Sequence, residues 1–313
     1  GGGEGARPAQ GNAGEEGSTD PRGELQYHHL ASALARVMTL RVDASAYLLS
    51  PSSLSEISPN TLSAWLAPGI PSCPATFSGG AAIVRPRLPL CATRARLLRE
   101  LGAVADSAGG ALSLVRSAGG SATSLVAVLA DRLPGFRDVL TDPRTGSKVK
   151  FYKRTQIADA DLWASFWCLH AGRCSGRVEN PCDFGDLGEL TTFADYRVPQ
   201  LLREEGVLMY SVDLARDVDA KKEISGVEEV LIRAATVVAV ERLVGAIGTV
   251  VLGEGDDEGA TSQTGEISTE RRRDIARRGI DAVRVDWYLW QVGEKLESRG
   301  QMRPHHRTRT IFY

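Results

Sequence analysis

Apolar residues in this chain recur at the spacing of a helix rather than that of a strand. Leu30, Leu34, Val37 and Met38 share one helical face, as do Leu97, Leu98, Leu101 and Val104, and again Leu125, Val126, Leu129 and Leu133. Strict alternation of the strand type is rare. Further helices are predicted over about residues 154–167, 227–251 and 271–296, so the expected fold is all-α, with a few short strands or extended segments. The best places for these are Phe151-Tyr152 and the end from Thr310 to Tyr313. A loop-rich stretch with five prolines, residues 68–89, separates the first helices from the rest. The glycine pairs 109–110 and 119–120 read as loops. They lack the following Lys-Ser/Thr of a phosphate-binding loop.

Residues 1–22 contain no aliphatic side chain larger than Ala, so burial cannot offset the entropy of ordering them, and a disordered Gly/Glu-rich segment is expected. Residues 23–313 are expected to form a single domain, with the polar, acidic stretch 254–270 as a flexible insertion. With 37 basic against 39 acidic residues, the net charge is −2, which disfavours a partner held by polyanion counterion release. No direct polynucleotide binding is therefore expected. The most apolar stretch, 231–253, is interrupted by Arg233, Glu241 and Arg242 and does not suit a membrane span. The glycine-rich start lacks the basic-then-apolar pattern of a secretory signal. Five cysteines, an odd number, suit reduced thiols in a cytoplasmic compartment.

The segment 191–206, TTFADYRVPQLLREEG, is the most informative. Pro199 suits the first turn of a helix and Gly206 its C′ position, which predicts a helix over about 198–205. Asp195, Tyr196 and Arg197 then occupy the turn entering it, where the unpaired N–H groups and the positive end of the dipole attract a carboxylate. One reading makes Asp195 an N-terminal cap with Arg197 as its surface partner. The sharper one makes it a fixed, ionised carboxylate for a cationic transition state. Asp161, flanked one turn away by Ile157, Ala158, Ala164 and Ser165, and Asp286, flanked by Ala282, Val283, Leu289 and Trp290, are expected on apolar faces. A buried carboxylate must be paired or hydrogen-bonded, so each either meets a structural cation or faces a ligand cavity. Aromatic residues, Trp163, Phe166, Trp167, Phe193, Tyr196, Trp287, Tyr288 and Trp290, crowd the same segments. They serve as core or as stacking walls for a flat heterocycle.

The set Cys168, His170, Cys174 and Cys182 lacks the paired C-x2-C turns of structural zinc sites, so no metal is assigned, and no cofactor is expected. No serine-hydrolase, zincin or dinucleotide-binding motif is present. The end of the chain, from Pro304 to Tyr313, reads as a solvated basic tail or, given Ile311-Phe312-Tyr313, as a docked one that lets Arg307 or His306 meet a phosphate.

In this order, F-Y-K-R-x-Q-I-x3-D-x-W from Phe151, T-F-A-D-Y-R-x-P-Q from Thr192, E-V-x-I-R-A from Glu229, D-x-Y-L-W from Asp286 and H-R-x-R-x-I-x-Y from His306 resemble the queuosine salvage protein family, the queuosine 5′-phosphate N-glycosylase/hydrolases. The similarity spans about residues 27–313, with a weaker block at L-P-x-F-R-D from Leu133. It implies an all-α fold similar to helix-hairpin-helix DNA glycosylases, and hydrolysis of the N-glycosidic bond of queuosine 5′-phosphate to release queuine for reinsertion into tRNA. A small nucleotide is then the partner. Asp195 falls on the aspartate of the family's F-A-D-Y-R motif and is the expected catalytic residue. Asp161, Asp286, Lys153, Arg197, Tyr196 and Arg307 are the expected substrate-binding set, with Lys153, Arg197 and Arg307 toward the phosphate. Where the family reads E-V-E-I-R, Leu231 replaces the second glutamate. The segment 168–183 is longer than the family pattern, and the family's upstream aromatic segment is expected to be missing from the chain. The competing readings are a queuine- or nucleotide-binding module that cuts no bond, and a helical scaffold with ion-paired aspartates.

Overall fold

The computed structural model describes residues 27–69, 73–77, 80–84, 88, 90–142, 144–166, 180–252, 269–277, 279–308 and 310–312. Residues 1–22, the whole of the predicted disordered segment, and 254–268, most of the predicted insertion, lie outside the described residues. The chain is mainly helical, and it divides into two compact units, residues 1–106 and 107–313.

The first unit holds α1 (Tyr27–Leu40), α2 (Val42–Leu49), α3 (Pro51–Leu54), α4 (Pro59–Leu66) and α5 (Cys91–Ser107), which closes it. Two of these starts follow from sequence. The Ser50 hydroxyl accepts the N–H of Ser53 ahead of α3, and that of Ser58 accepts the N–H of Thr61 ahead of α4, each with a proline at the first helical position. Their inner faces bury Ala33, Val37, Ala44, Leu54, Ile57, Leu62, Leu66 and Ala95, with Tyr47 meeting Trp65 edge-on at 5.3 Å. Gly102 lets α5 approach the backbone at Ser55, where a Cβ would collide. The proline-rich stretch is not loop throughout, because β1 (Cys73–Phe77) and β2 (Gly80–Val84) pair antiparallel within it. Among the described residues of this stretch, Pro74, in the first half of β1, is the one proline within a strand, and Phe77 pairs with Gly80.

The second unit contains α6 (Ala111–Arg116), α7 (Ala122–Arg132), the short hairpin β3 (Val139–Thr141) and β4 (Lys148–Lys150), and α8 (Lys153–Ser165). It continues with α9 (Arg197–Glu204), α10 (Val212–Asp219), α11 (Gly226–Leu252), α12 (Thr269–Arg277) and α13 (Ala282–Ser298). Gly109, Gly110, Gly119 and Gly120 all have positive φ, as loop glycines do. The helix predicted over 271–296 is in fact two. Gly279, at φ +79°, breaks it, and the Asp281 side chain restarts it by accepting the N–H of Arg284. Val198 and Leu202 of α9, Val240 and Val244 of α11, Ile275 of α12 and Ala282 of α13 form one core. Truncating a residue such as Leu202 to Ala costs about 2–5 kcal/mol. Helix α11 buries one stripe, which includes Val230, Ile232, Arg233, Thr236, Val240 and Val244, and leaves Leu231, Val238, Ile247, Val250 and Val251 exposed. Among the described residues, no helix is long and apolar enough to cross a membrane.

Candidate active site

Residues 191–195 belong to neither helix nor strand, so their backbone groups need partners elsewhere. Each of the five is held by a partner. The N–H of Thr191 donates to Gln156 Oε1 at 2.7 Å, and Gln156 Nε2 in turn donates to the carbonyl of Phe151 at 2.8 Å. The Thr192 hydroxyl and the Phe193 N–H, at 2.9 Å, both donate to Asp286 Oδ2. Arg233 Nε donates to the carbonyl of Ala194 at 3.0 Å. Asp195 Oδ1 accepts the N–H groups of Arg197 at 2.9 Å and Val198 at 3.0 Å, capping α9 as its position before Pro199 predicts. Gly206, at φ +73°, ends the same helix.

Asp195 and Asp286 are 8% and 3% exposed. Each commits one oxygen to the scaffold. Among the described residues, neither Asp195 Oδ2 nor Asp286 Oδ1 carries a hydrogen bond. Asp286 meets neutral donors rather than the structural cation that a buried carboxylate commonly finds. Burial first, and then the charge of Asp195, push its pKa up to about 7, against the pull of its two hydrogen bonds and of Lys153. Lys153, the first residue of α8, is buried beside both carboxylates. Desolvation holds its pKa below the usual lysine value, although Asp195, Asp138 and Asp286 oppose that shift. The carboxylates and Lys153 therefore share one electrostatic neighbourhood.

The other expected site residues fall differently. Tyr196 packs against His305, ring centroids 4.7 Å apart and planes tilted by 39°, at the mouth of α9. Arg197 is not a surface partner of Asp195. It is buried, with Nε 2.6 Å from Glu294 Oε1, Nη1 on Gln200 and 3.3 Å from Glu297, and its guanidinium 5.3 Å from the Tyr196 ring. Gly293 makes room for it, since a Cβ there would stand 2.9 Å from its side-chain carbons. Asp161 is exposed, which corrects its expected placement on a buried face. The buried face of α8 is Lys153, Thr155, Gln156, Asp159, Ala160 and Trp163, and one residue beyond Ala160 turns the chain 100° away from it. The C-terminal segment is docked: the Ile224 N–H donates to the Arg307 carbonyl at 2.8 Å, Thr308 donates to Glu229 at 3.1 Å, and the Arg154 guanidinium lies 5.8 Å from the Phe312 ring. Arg307 is half-buried beside it, and Arg309 and Tyr313 lie outside the described residues. His306 is buried, and burial with the nearby His305, Arg233 and Lys153 pushes its pKa down to about 3, so it is neutral at ordinary pH.

Sequence reasoning gave no role to Asp138, Gln156 and Arg233, although each falls in a block that carries the resemblance, and none to Asp159. Arg233 carried a signal, being a cation within an apolar helix, and such a group must be paired. Its partner is Asp138, and both are fully buried. Asp159 is also fully buried, and neither of its oxygens finds a hydrogen bond. Burial, and then Asp186, raise its pKa to about 8, so it stays protonated at neutral pH. Of the four residues tested for metal, Cys168, His170 and Cys174 lie outside the described residues, and Cys182 is a buried free thiol. Among the described residues, no group of three or more His, Cys, Asp or Glu side chains is placed to hold a metal. The larger described cavity, about 620 Å³, lies between Trp163, Phe184, Asp186, Arg272 and Arg284 and is lined by none of Asp195, Asp286 and Lys153. The candidate site is assigned to this cluster, because buried ionisable groups held together, two of them, Asp286 and Lys153, with shifted proton affinity, carry chemistry and an empty volume alone does not.

Comparison with known proteins points the same way as the motifs. The family described as queuosine salvage protein matches residues 18–313. A Sphaerobacter thermophilus protein named queuosine 5′-phosphate N-glycosylase/hydrolase is 40% identical over 232 residues, which cover 72% of this chain and 59% of that protein. A Dictyostelium discoideum protein of the same name is 31% identical over 300 residues, covering 94% of this chain and 73% of that protein. A Bos taurus protein, again of that name, is 31% identical over 231 residues, covering 72% and 59%. The chain thus spans about three fifths of the length of two of these relatives.

Proposed function

Because this chain belongs to the queuosine salvage protein family, we propose that it hydrolyses the N-glycosidic bond of queuosine 5′-phosphate, releasing queuine for return to tRNA. The observation that carries this reading is the pair of buried carboxylates, each fixed through one oxygen and carrying no hydrogen bond on the other among the described residues.

Breaking a ribosyl C–N bond builds positive charge on the sugar. In the proposed mechanism Asp195 Oδ2 faces that charge at C1′. Two backbone N–H groups hold Oδ1, so the carboxylate needs no reorganisation when the charge develops. A water then adds to C1′ and yields ribose 5-phosphate, while the base leaves with a proton. Queuine is a 7-deazapurine and lacks the ring nitrogen that ordinary purine glycosylases protonate, so the proton that it leaves with, drawn from the attacking water, goes to another ring atom. In this reading Asp286 Oδ1 accepts the N–H donors of the base's far edge and orients the base. The cationic side-chain amine of the substrate would favour the ionised form of the same carboxylate. Tyr196, packed against His305, forms a wall for the flat base, and Lys153 and Arg307 are the cations assigned to the phosphate. Arg197 and Asp161 take no direct part, the first committed to Glu294 and Glu297 and the second exposed. The mainly helical chain stands in this reading as a glycosylase fold similar to the helix-hairpin-helix enzymes, working in the cytoplasm.

The test is incubation of the protein with queuosine 5′-phosphate and detection of products by mass. Free queuine and ribose 5-phosphate in equal amounts support the proposal. A thermal shift on adding the nucleotide, without either product, would assign the chain to binding alone.

A further inference from the structure

We infer that the buried pair Arg233–Asp138 is the positioning element of this site, fixing at once the peptide that carries Asp195 and the start of the helix that carries Lys153. The inference rests on the reading of Asp195 as the catalytic residue.

Arg233 projects from the N-terminal third of α11 and is fully buried. Its Nε donates to the carbonyl of Ala194 at 3.0 Å, one residue before Asp195. Its Nη1 donates to Asp138 Oδ1 at 3.0 Å and its Nη2 to Asp138 Oδ2. Glu229 lies 3.5 Å from Nη1, and the guanidinium carbon lies 4.1 Å from the centroid of the Phe151 ring. Three polar directions and one face of a planar group are thus filled, which only a guanidinium does.

Asp138 acts on the other side. Its Oδ2 accepts the N–H of Lys153 at 3.3 Å, and its carbonyl accepts the N–H groups of Phe151 at 3.0 Å and Tyr152 at 3.2 Å. Tyr152 has φ +50°, a left-handed conformation that a bulky residue adopts only when its surroundings impose it. That single residue turns the chain from β4 into α8 and sets where Lys153 begins.

Stability does not account for such a pair. Replacing a buried ion pair by apolar residues of similar volume is often neutral or stabilising, because desolvation offsets the attraction. What apolar side chains cannot supply is a donor to the Ala194 carbonyl and an acceptor for the Lys153 N–H. The pair therefore sets geometry, and its loss should lower turnover more than binding.

The experiment compares Arg233→Lys and the double replacement Arg233→Met/Asp138→Leu with the native protein. The first keeps the charge and loses the fork; the second removes both charges and keeps the volume. Folding is checked by circular dichroism and cooperative melting. Turnover of queuosine 5′-phosphate should fall at least about tenfold in kcat with KM within about threefold, the split expected when positioning rather than ground-state binding is lost. The Asp286 carboxyl carbon, assigned by its loss in Asp286→Asn and titrated by 13C NMR without substrate, should shift its midpoint toward the ordinary carboxylate range as the Asp195 charge moves away from it. Native kcat in a folded variant with an unmoved Asp286 titration would overturn the inference, and so would the unfolding of both variants, which would make the pair structural. If the native protein releases no queuine, the glycosylase reading fails on its own, and the NMR titration still decides whether the pair positions Asp195.

Discussion

The carboxylate of Asp286 accepts the backbone N–H of Phe193 at 2.9 Å across 93 residues of sequence, so α13 holds the loop that delivers Asp195 to the mouth of α9. Asp286→Ala leaves that N–H and the Thr192 hydroxyl without their acceptor inside the protein. The expected cost is about 1–3 kcal/mol in denaturant unfolding, with weakened substrate binding. Asp286→Asn keeps an acceptor and should stay within about 1 kcal/mol of native.

The same residue sets a pH dependence. Asp286 is protonated below about pH 7, and the proposed mechanism uses its ionised form. Turnover at low substrate should therefore rise as pH rises through about 7, and the step should vanish in Asp286→Asn. A step of unchanged midpoint in that variant would assign the titration to another group.

Asp159 titrates against stability. Its carboxyl ionises near 3.8 when unfolded and near 8 when folded, so between those values the folded state binds the extra proton. Stability then falls as pH rises across that window, by at most about 1.4 kcal/mol per pH unit, and levels off above it. Asp159→Asn removes this dependence. The variant should gain on the native protein steadily from pH 5 to pH 8 in chemical denaturation, and a difference independent of pH would contradict the assignment.

Asp161 should behave as an exposed residue. Asp161→Ala is expected to change unfolding free energy by no more than about 0.5 kcal/mol and leave turnover near native. A large loss of activity on that change would return Asp161 to the site.

Much of this was legible in the chain, and the rest was lost for identifiable reasons. Pro199 and Gly206 bracket α9, and the capping position of Asp195 follows from them. The break at Gly279 was hidden because apolar spacing continues across it, through Ile275, Ala282 and Val285. The apolar flanks of Asp161 suggested burial, whereas the residue two positions earlier, Asp159, is the one turned inward. Local spacing cannot choose between them, because the face α8 buries is set by α7, and the two helices meet only in three dimensions. Arg233 entered the sequence reading as an interruption of an apolar stretch and as a residue of the E-V-x-I-R-A block, with no role of its own. Its partner Asp138 lies 95 residues away, and no local pattern connects them.

In the proposed reaction Asp195 stabilises the transition state, and Asp195→Asn removes its charge with little change of shape. The amide oxygen can still accept the N–H groups of Arg197 and Val198, so melting temperature should move little. Loss of the charge facing the sugar should reduce the rate of queuine release at least about 100-fold, roughly 3 kcal/mol of transition-state stabilisation, with affinity for queuosine 5′-phosphate kept within about tenfold. Near-native release of queuine by folded Asp195→Asn would contradict the account.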